Sequence, residues 1–200
     1  MWAEAVRGEA VRATVAFLPV LASFSVAALD EPDFTVIEQL GESMEVREYP
    51  AFTTASVAID ADIKSAGNQG FRLLADYIFG NNQADEKIAM TAPVFQTRIA
   101  EDAQKVSFYL THSADEAPLP VNERVEIESS AMTVAVIRYK GGWGMDKYEQ
   151  HLNALVDELE ATGAWRITGE PIWARYDPPF KPPWWRTNEV MLPVDRINGR

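Results

Sequence analysis

The chain has 200 residues and a net charge of −12 at pH 7. This length suggests one domain, or at most two small ones. The negative charge argues against a nucleic-acid partner, because a phosphate backbone would repel the protein. The absence of cysteine excludes disulfides, thiolate metal sites and cysteine nucleophiles, and two histidines are too few for a multi-histidine metal centre.

The N-terminal segment contains an uncharged apolar run, residues 13–28, that follows two arginines and ends in small residues. This pattern is typical of a secretory signal peptide. The run is shorter than the roughly 20 apolar residues of a membrane-spanning helix, so we predict no integral membrane span. We predict a signal peptide over 1–28 and a single periplasmic or otherwise exported domain over 29–200. Two early glutamates leave open a cytoplasmic protein with an N-terminal extension.

The first half of the proposed mature region alternates apolar and polar residues, which is typical of strands. Between the third and fourth of these strands, four apolar residues recur with helical spacing, and Gly80 follows them. This predicts a helix over residues 65–79 that ends at the glycine. The apolar residues of the helix are Phe71, Leu74, Tyr77 and Ile78. The strands are predicted over residues 34–38, 44–49, 51–59, 87–97 and 105–111.

The second half repeats this order of elements. An apolar stripe from Met145 to Leu159 predicts a second helix that Gly163 ends. Two helices and eight or nine strands in a duplicated unit predict an α+β domain, built as an antiparallel barrel or open sheet flanked by helices. The strands of this half are predicted over residues 123–128, 132–139, 165–175 and 188–194.

The segment 175–190 has the most unusual composition of the chain. Four prolines lie within six residues, and aromatic residues are interleaved with them. Prolines stiffen a loop, and rigid aromatic loops form good walls for flat apolar ligands. A loop that only caps a hydrophobic core would have the same composition, so both interpretations remain open. The aromatic residues are Tyr176, Phe180, Trp184 and Trp185.

Glu189 begins an apolar strand near the C-terminus. Strand alternation allows its carboxylate to point either to solvent or to the interior, and the general rarity of buried glutamates favours solvent. If the side chain is inside, it needs a partner, which a cationic ligand would supply. The sequence contains no G-x-S-x-G, P-loop or G-x-G-x-x-G motif, so no catalytic motif of these classes is present.

Four segments of the sequence resemble the SOUL haem-binding proteins. The resemblance is carried by Tyr176-Asp177-Pro178-Pro179 with the following Lys181-Pro182, Arg186 and Asn188-Glu189-Val190, and by Met90-Thr91-Ala92-Pro93-Val94. Val46-Arg47 with Tyr49, and Tyr77-Ile78 with Gly80 and Asn82, match two further positions in order. The resemblance extends from residue 31 to residue 194.

The resemblance implies duplicated β-α-β-β units that form a distorted antiparallel β-barrel flanked by two helices, related to the gyrase-inhibitor-like fold. It also implies non-covalent binding of haem or a related tetrapyrrole, as a carrier, buffer or scavenger, in an apolar cleft between the first helix, the barrel and the C-terminal loop. The cationic candidates for the haem propionates are Arg72, Lys181 and Arg186. The other ligand-binding candidates are Phe71, Leu74, Ala75, Ile78, Met90, Tyr176, Phe180, Trp184, Trp185 and Glu189.

Several alternatives stay open at this point. His112 ends a predicted strand and is either a surface histidine or an axial ligand of haem iron. The protein could instead be a small hydrolase, or could bind another apolar or cationic ligand, with Glu189 in the barrel. A third hypothesis is an envelope interaction protein without a small ligand. We expect a monomer in each case.

Overall fold

The structure is a computed structural model that describes residues 29–197. The predicted signal peptide, residues 1–28, lies outside the described residues, and the exported location stays a prediction. Eight strands, two helices and one short 3₁₀ turn are present between these limits. They are β1 Thr35–Gln39, β2 Met44–Asp60, α1 Ile63–Ile78, β3 Val94–Ala100, β4 Ala103–Leu110, β5 Val125–Lys140, α2 Met145–Thr162, β6 Trp165–Ile167, β7 Ile172–Arg175, the 3₁₀ turn Pro183–Trp185 and β8 Thr187–Arg196.

Six of the strands close into an antiparallel barrel. The hydrogen-bonded order β2-β4-β3-β7-β8-β5 returns to β2 through the pairing of β5 with β2. Strand β1 pairs with residues 45–48 at the start of β2, and β6 pairs with the end of β8. This arrangement confirms the predicted α+β fold class and the closed form of the sheet.

The barrel consists of two copies of one β-α-β-β unit. The first copy is β2-α1-β3-β4 and the second is β5-α2-β7-β8. Within the copies the strand orders are β2-β4-β3 and β5-β8-β7, which correspond position by position. The copies meet along two strand pairs, β2 with β5 and β3 with β7. The predicted duplication is therefore confirmed.

The apolar side chains separate into an interior cluster and two outer clusters. All six barrel strands contribute to the interior cluster, which includes Tyr49, Phe95 and Met191. Helix α1 packs outside against β2 and β4, and α2 packs outside against β5, β7 and β8. Because strand residues alternate between faces, odd and even positions of β8 belong to different clusters. None of the helices among residues 29–197 is long and apolar enough to cross a membrane.

Local sequence explains where the helices begin and how closely they pack. The Asp62 side chain accepts hydrogen bonds from the backbone N–H groups of Lys64 and Ser65, which caps the start of α1. Gly70 lets α1 approach the sheet, since a Cβ atom there would lie 2.6 Å from the Cβ of Val106. Gly163 ends α2 in the left-handed conformation, with φ of 59°.

Six predicted strand segments were wrong in their limits. The segment 165–175 forms two separate strands, β6 and β7. The segments 44–49 and 51–59 form one strand, because β5 pairs along both and the break at Pro50 is only a register irregularity between Tyr49 and Phe52. The segments 123–128 and 132–139 also form one strand, β5, for the same reason. The predicted strand 87–97 begins only at Val94, and residues 87–93 form the connection from α1.

Candidate functional site

Most of the predicted site residues outside α1 lie at one end of the barrel. Strands β4 and β7 both pair antiparallel with β3, so they run in the same direction. His112, which follows β4, and the loop that follows β7 therefore lie at the same end, together with Met90 before β3. We call this the upper end, which is bounded by Met44, Val94, Leu110, Lys140, Arg175 and Thr187.

Residues 176–186, which we call the aromatic loop, display three large aromatic side chains to solvent. Phe180 is 87% exposed, Trp184 69% and Trp185 64%. Three large apolar side chains this exposed within six residues are unusual on a surface that binds nothing. The alternative of a loop that caps a hydrophobic core describes Tyr176, which packs against the interior cluster, whereas the other three provide apolar surface at the upper end.

Charged side chains fix the shape of the aromatic loop. Asp177 accepts a hydrogen bond from the backbone N–H of Thr187 and forms an ion pair with Lys181. The Arg186 guanidinium donates to the backbone carbonyls of Lys181 and Pro179. These contacts hold the two sides of the loop together. The hydrogen bonds and Lys181 also keep the pKa of Asp177 below its ordinary value, although its partial burial acts in the opposite direction.

The candidates on α1 divide into buried and exposed groups. Leu74, Ala75 and Ile78 are 0 to 8% exposed and pack on the outside of the barrel beneath the helix. A ligand could touch them only if α1 moved, and their binding role stays a prediction. Phe71 is 38% exposed and its ring packs edge-on against Phe108, with 5.2 Å between ring centroids.

Two further candidates lie at or near the surface. Met90 is 38% exposed in the segment between α1 and β3. Arg72 is exposed on α1. Both are accessible to a ligand, and neither has a contact that identifies one.

His112 lies beside an open cleft of about 540 Å³ at the upper end. Its Nε2 atom is 3.6 Å from a Glu86 carboxylate oxygen, while its Nδ1 atom is buried without a hydrogen-bond partner. Within residues 29–197 no group of three or more histidine, aspartate or glutamate side chains is arranged to hold a metal ion. Axial ligation of haem iron by His112 stays a prediction.

Glu189 lies inside the barrel, so the expectation that it points to solvent was wrong. Its side chain has no solvent exposure, and its two carboxylate oxygens accept hydrogen bonds from Arg47 Nη1 and Nη2, both at 3.0 Å. Arg47, a residue of the chain itself, is therefore the cationic partner that the sequence analysis expected a ligand to supply. Burial alone would lower the pKa of Arg47, but the bonds to Glu189 raise it overall.

Two tyrosines complete what we call the interior charge cluster, which consists of Arg47, Tyr49, Tyr176 and Glu189. The Tyr176 hydroxyl donates to Glu189 at 2.6 Å, and the Tyr49 hydroxyl accepts from Arg47 at 3.1 Å. Burial raises the pKa of Tyr49 to about 12. Burial, followed by the charge of Glu189, also raises the pKa of Tyr176 far above its ordinary value. Every charged group of this cluster has a partner.

Comparison with known proteins gives a family for this fold and site. The family model of the SOUL heme-binding protein matches residues 29–193. Heme-binding protein 2 of Homo sapiens is 31% identical over 179 residues, covering 82% of this chain and 86% of that protein. Heme-binding protein 2 of Mus musculus matches with the same identity and coverage. The chain belongs to the SOUL family.

Solved structures resemble this SOUL protein in fold at low sequence identity. The C-terminal domain of EcmrR has a TM-score of 0.62 and 14% identity, covering 77% of this chain and 98% of that domain. A hydrolase from Listeria innocua has a TM-score of 0.56 and 11% identity, covering 76% and 92%. At these identities the likeness shows the shared fold alone.

Sequence reasoning missed the partners of Glu189 in this SOUL protein. Arg47 and Arg138 come from β2 and β5, and the Arg138 guanidinium lies 3.7 Å from Glu189 and 5.1 Å from the centre of the Tyr176 ring. The alternation of this strand gave no signal, because Met44 and Val46 are its apolar positions and Arg47 falls with Glu45 at a position that alternation assigns to solvent.

Proposed function

We propose that this SOUL protein binds haem or a related tetrapyrrole non-covalently, as a carrier, buffer or scavenger, with the aromatic loop as the main binding surface. The observation that carries this proposal is the group of Phe180, Trp184 and Trp185, which are 64 to 87% exposed on a loop that one ion pair and several hydrogen bonds hold in place. A flat apolar ring system would cover these side chains at little entropic cost, because the loop already holds them at the surface.

The chemistry around the loop suits a tetrapyrrole with two carboxylates. Lys181 and Arg186 belong to the loop, and the side chain of Arg138 is 50% exposed beside Tyr176. These cations can pair with propionate groups while the aromatic side chains contact the ring. The names of the two mammalian relatives support the same ligand class. Haem would supply the iron, and the protein would supply apolar cover and counter-charges.

The geometry does not favour the hydrolase alternative. A general base needs a free lone pair that reaches a substrate proton. Both oxygens of Glu189 already accept hydrogen bonds from Arg47, and one also accepts from Tyr176. Binding of a cationic ligand by Glu189 would likewise require displacement of Arg47. We therefore propose a binding protein and no catalytic role for this carboxylate.

Titration of hemin against residues 29–200 tests the proposal. We expect a saturable one-to-one shift of the Soret band, and an affinity at least about tenfold lower in the double variant Trp184→Ala/Trp185→Ala, because two stacking surfaces are lost. Phe79→Ala is the matched control, since Phe79 is 59% exposed outside the loop. Absence of a saturable shift at micromolar hemin would overturn the proposal. Equal affinity in both variants would remove the loop from the site.

A further inference from the structure

A second polar cluster lies outside the barrel, where the two repeats meet. Tyr139, Asn188 and Arg175 are register neighbours across β5, β8 and β7, so their side chains lie on one face of the sheet. Trp173 precedes Arg175 by two positions and shares that face. Trp143 joins them from the turn before α2. We call these five residues the seam cluster, because they lie beside the β3–β7 pair, which is one of the two boundaries between the repeats.

Each member of the seam cluster has a buried polar atom without a hydrogen-bond partner. Buried polar atoms in folded proteins are nearly always hydrogen-bonded, so five in one place require an explanation. Three of them are N–H donors, and Tyr139 adds a hydroxyl, so the cluster has more donors than acceptors. The atoms are Tyr139 Oη, Trp143 Nε1, Trp173 Nε1, Arg175 Nε and Asn188 Oδ1.

Arg175 brings a positive charge into this cluster without a carboxylate partner. Its Nη2 atom donates to the side-chain oxygen of Gln96 at 3.0 Å. Within residues 29–197, no aspartate or glutamate contributes to the environment of its guanidinium. Burial lowers the pKa of Arg175 to about 10, and the neighbouring Tyr139 opposes this only in part. A buried cation of this kind is unfavourable unless an anion joins it.

The surroundings of Arg175 hold the guanidinium in one place. The rings of Trp143 and Trp173 face it at 5.5 and 5.3 Å from their centroids. On α1, a Cβ atom at Gly67 would lie 2.9 Å from Arg175 Nη2, so only glycine leaves room for this arrangement. The contacts with the two rings compensate the charge in part, but Arg175 Nε and Trp143 Nε1 stay unpaired, and Trp173 Nε1 faces only the Tyr139 hydroxyl, outside good hydrogen-bond geometry.

We propose that the seam cluster binds a carboxylate group, with Arg175 Nε and the indole N–H groups of Trp143 and Trp173 as donors. A carboxylate supplies one negative charge and four lone-pair positions, which matches one cation and the N–H groups of two indole rings whose centroids lie 5.3 and 5.5 Å from it. Arg186 adds a second guanidinium, 4.3 Å from the centre of the Trp143 ring. The carboxylate could belong to a tetrapyrrole propionate, which rests on the proposed function, or to a separate carboxylic acid.

Indole N–H signals of ¹⁵N-tryptophan-labelled protein test this proposal directly, with Trp143→Phe and Trp173→Phe to assign the signals. Sodium acetate is the free-carboxylate probe, and sodium chloride at equal ionic strength is the control. We expect saturable shifts of the Trp143 and Trp173 signals with acetate alone. We expect binding at least about tenfold weaker in Arg175→Met, because the charged donor is lost. Arg166→Met, which changes an exposed arginine paired with Asp195, should bind acetate normally.

Zinc protoporphyrin and its dimethyl ester separate the two sources of the carboxylate. If the acid shifts the two signals and the ester does not, the carboxylate is a propionate. If acetate shifts them while both porphyrins leave them unchanged, it belongs to a separate ligand. Porphyrin binding that shifts only Trp184 and Trp185, with no response of the seam to acetate, would overturn this inference and leave the proposed function intact. A response of the Trp143 and Trp173 signals to acetate without any porphyrin binding would support this inference and overturn the proposed function. The wild-type titration decides these outcomes even if Arg175→Met does not fold.

Discussion

The interior charge cluster and the seam cluster each contain an arginine, Arg47 buried and Arg175 half-buried, and they differ in how its charge is compensated. Arg47 has a carboxylate at 3.0 Å and a tyrosine hydroxyl at 3.1 Å. Arg175 has a glutamine amide and two aromatic rings. A buried charge with its own partner is satisfied within the fold, although breaking such a pair is costly, whereas we infer that one without a partner receives it from outside.

The largest expected effect is the loss of the interior cation. Arg47→Met leaves the buried Glu189 carboxylate with only the Tyr176 hydroxyl and the more distant Arg138, and we expect a loss of about 3 to 5 kcal/mol in the free energy of unfolding. Urea denaturation measures it, with Arg166→Met as a control for a surface pair worth about 0 to 1 kcal/mol. The further change Glu189→Gln should restore part of the loss. A loss below about 1 kcal/mol in Arg47→Met would show that the two clusters are not different.

At high pH the two clusters should behave alike. Burial raises the pKa of Tyr49, in the interior, and of Tyr139, at the seam, to about 12. Both tyrosines ionise near pH 10 in the unfolded chain, so their contribution is fully present below pH 10 and is lost as the pH rises towards 12. We expect each to account for about 2 to 3 kcal/mol of lost stability at pH 12.

Urea denaturation from pH 9 to 12 checks this expectation. Tyr49→Phe and Tyr139→Phe should each make the decline in stability between pH 10 and 12 shallower than in the wild type. An unchanged decline in either variant would mean that its tyrosine does not resist ionisation, and that its hydroxyl is hydrated in the folded protein.

At pH 7, replacing a tyrosine by phenylalanine should lower the free energy of unfolding more in the interior charge cluster than in the seam cluster. The Tyr176 hydroxyl donates to the charged Glu189 at 2.6 Å, so Tyr176→Phe should cost about 1.5 to 3 kcal/mol. The Tyr139 hydroxyl has only the Trp173 indole beside it, outside good hydrogen-bond geometry, so Tyr139→Phe should change stability by less than about 1 kcal/mol. Thermal or urea unfolding of the two variants gives the comparison. Equal losses would indicate that Tyr139 has a partner.

The smallest expected effect is at the seam itself. Arg175→Met removes a costly buried charge together with its amide and aromatic contacts, so we expect a net change below about 1 kcal/mol without ligand. Urea denaturation in acetate-free buffer measures it. A loss as large as that of Arg47→Met would show that the chain already compensates this guanidinium and needs no external anion.

More of the fold than of the site could be predicted, because the spacing of apolar residues indicates which side of a helix or strand is buried. The spacing of Leu74, Tyr77 and Ile78 identified α1, and Gly163 identified the end of α2. Pro50 was misleading, because proline usually interrupts a strand, and only the long pairing of β2 with β5 maintains the strand there. Residues 87–93 were predicted as part of a strand from their alternation, but within the described residues 29–197 they form only one isolated bridge, between Thr91 and Asp30.

The interior charge cluster could not be predicted, because its residues are brought together by register. Arg47 and Glu189 are 142 positions apart and belong to different repeats. Arg47 lies opposite Val134 on β5, and Glu189 lies opposite Arg138 on the same strand. A shift of either register by one residue would turn one of the two side chains to the outer face. Sequence patterns do not encode such a match between distant strands.

The strand pair β2–β5 has a consequence for how the protein folds. It runs from Met44 opposite Ile137 to Val57 opposite Val125, so one edge of the first strand of each repeat is paired by the other repeat. Each repeat can pair its own three strands, but both of its outer edges stay open without the other repeat, and closing the barrel requires contacts between residues far apart in sequence. Folding should therefore be slow and all-or-none, with one transition for both repeats. Duplication here produced a single cooperative unit instead of two independent ones.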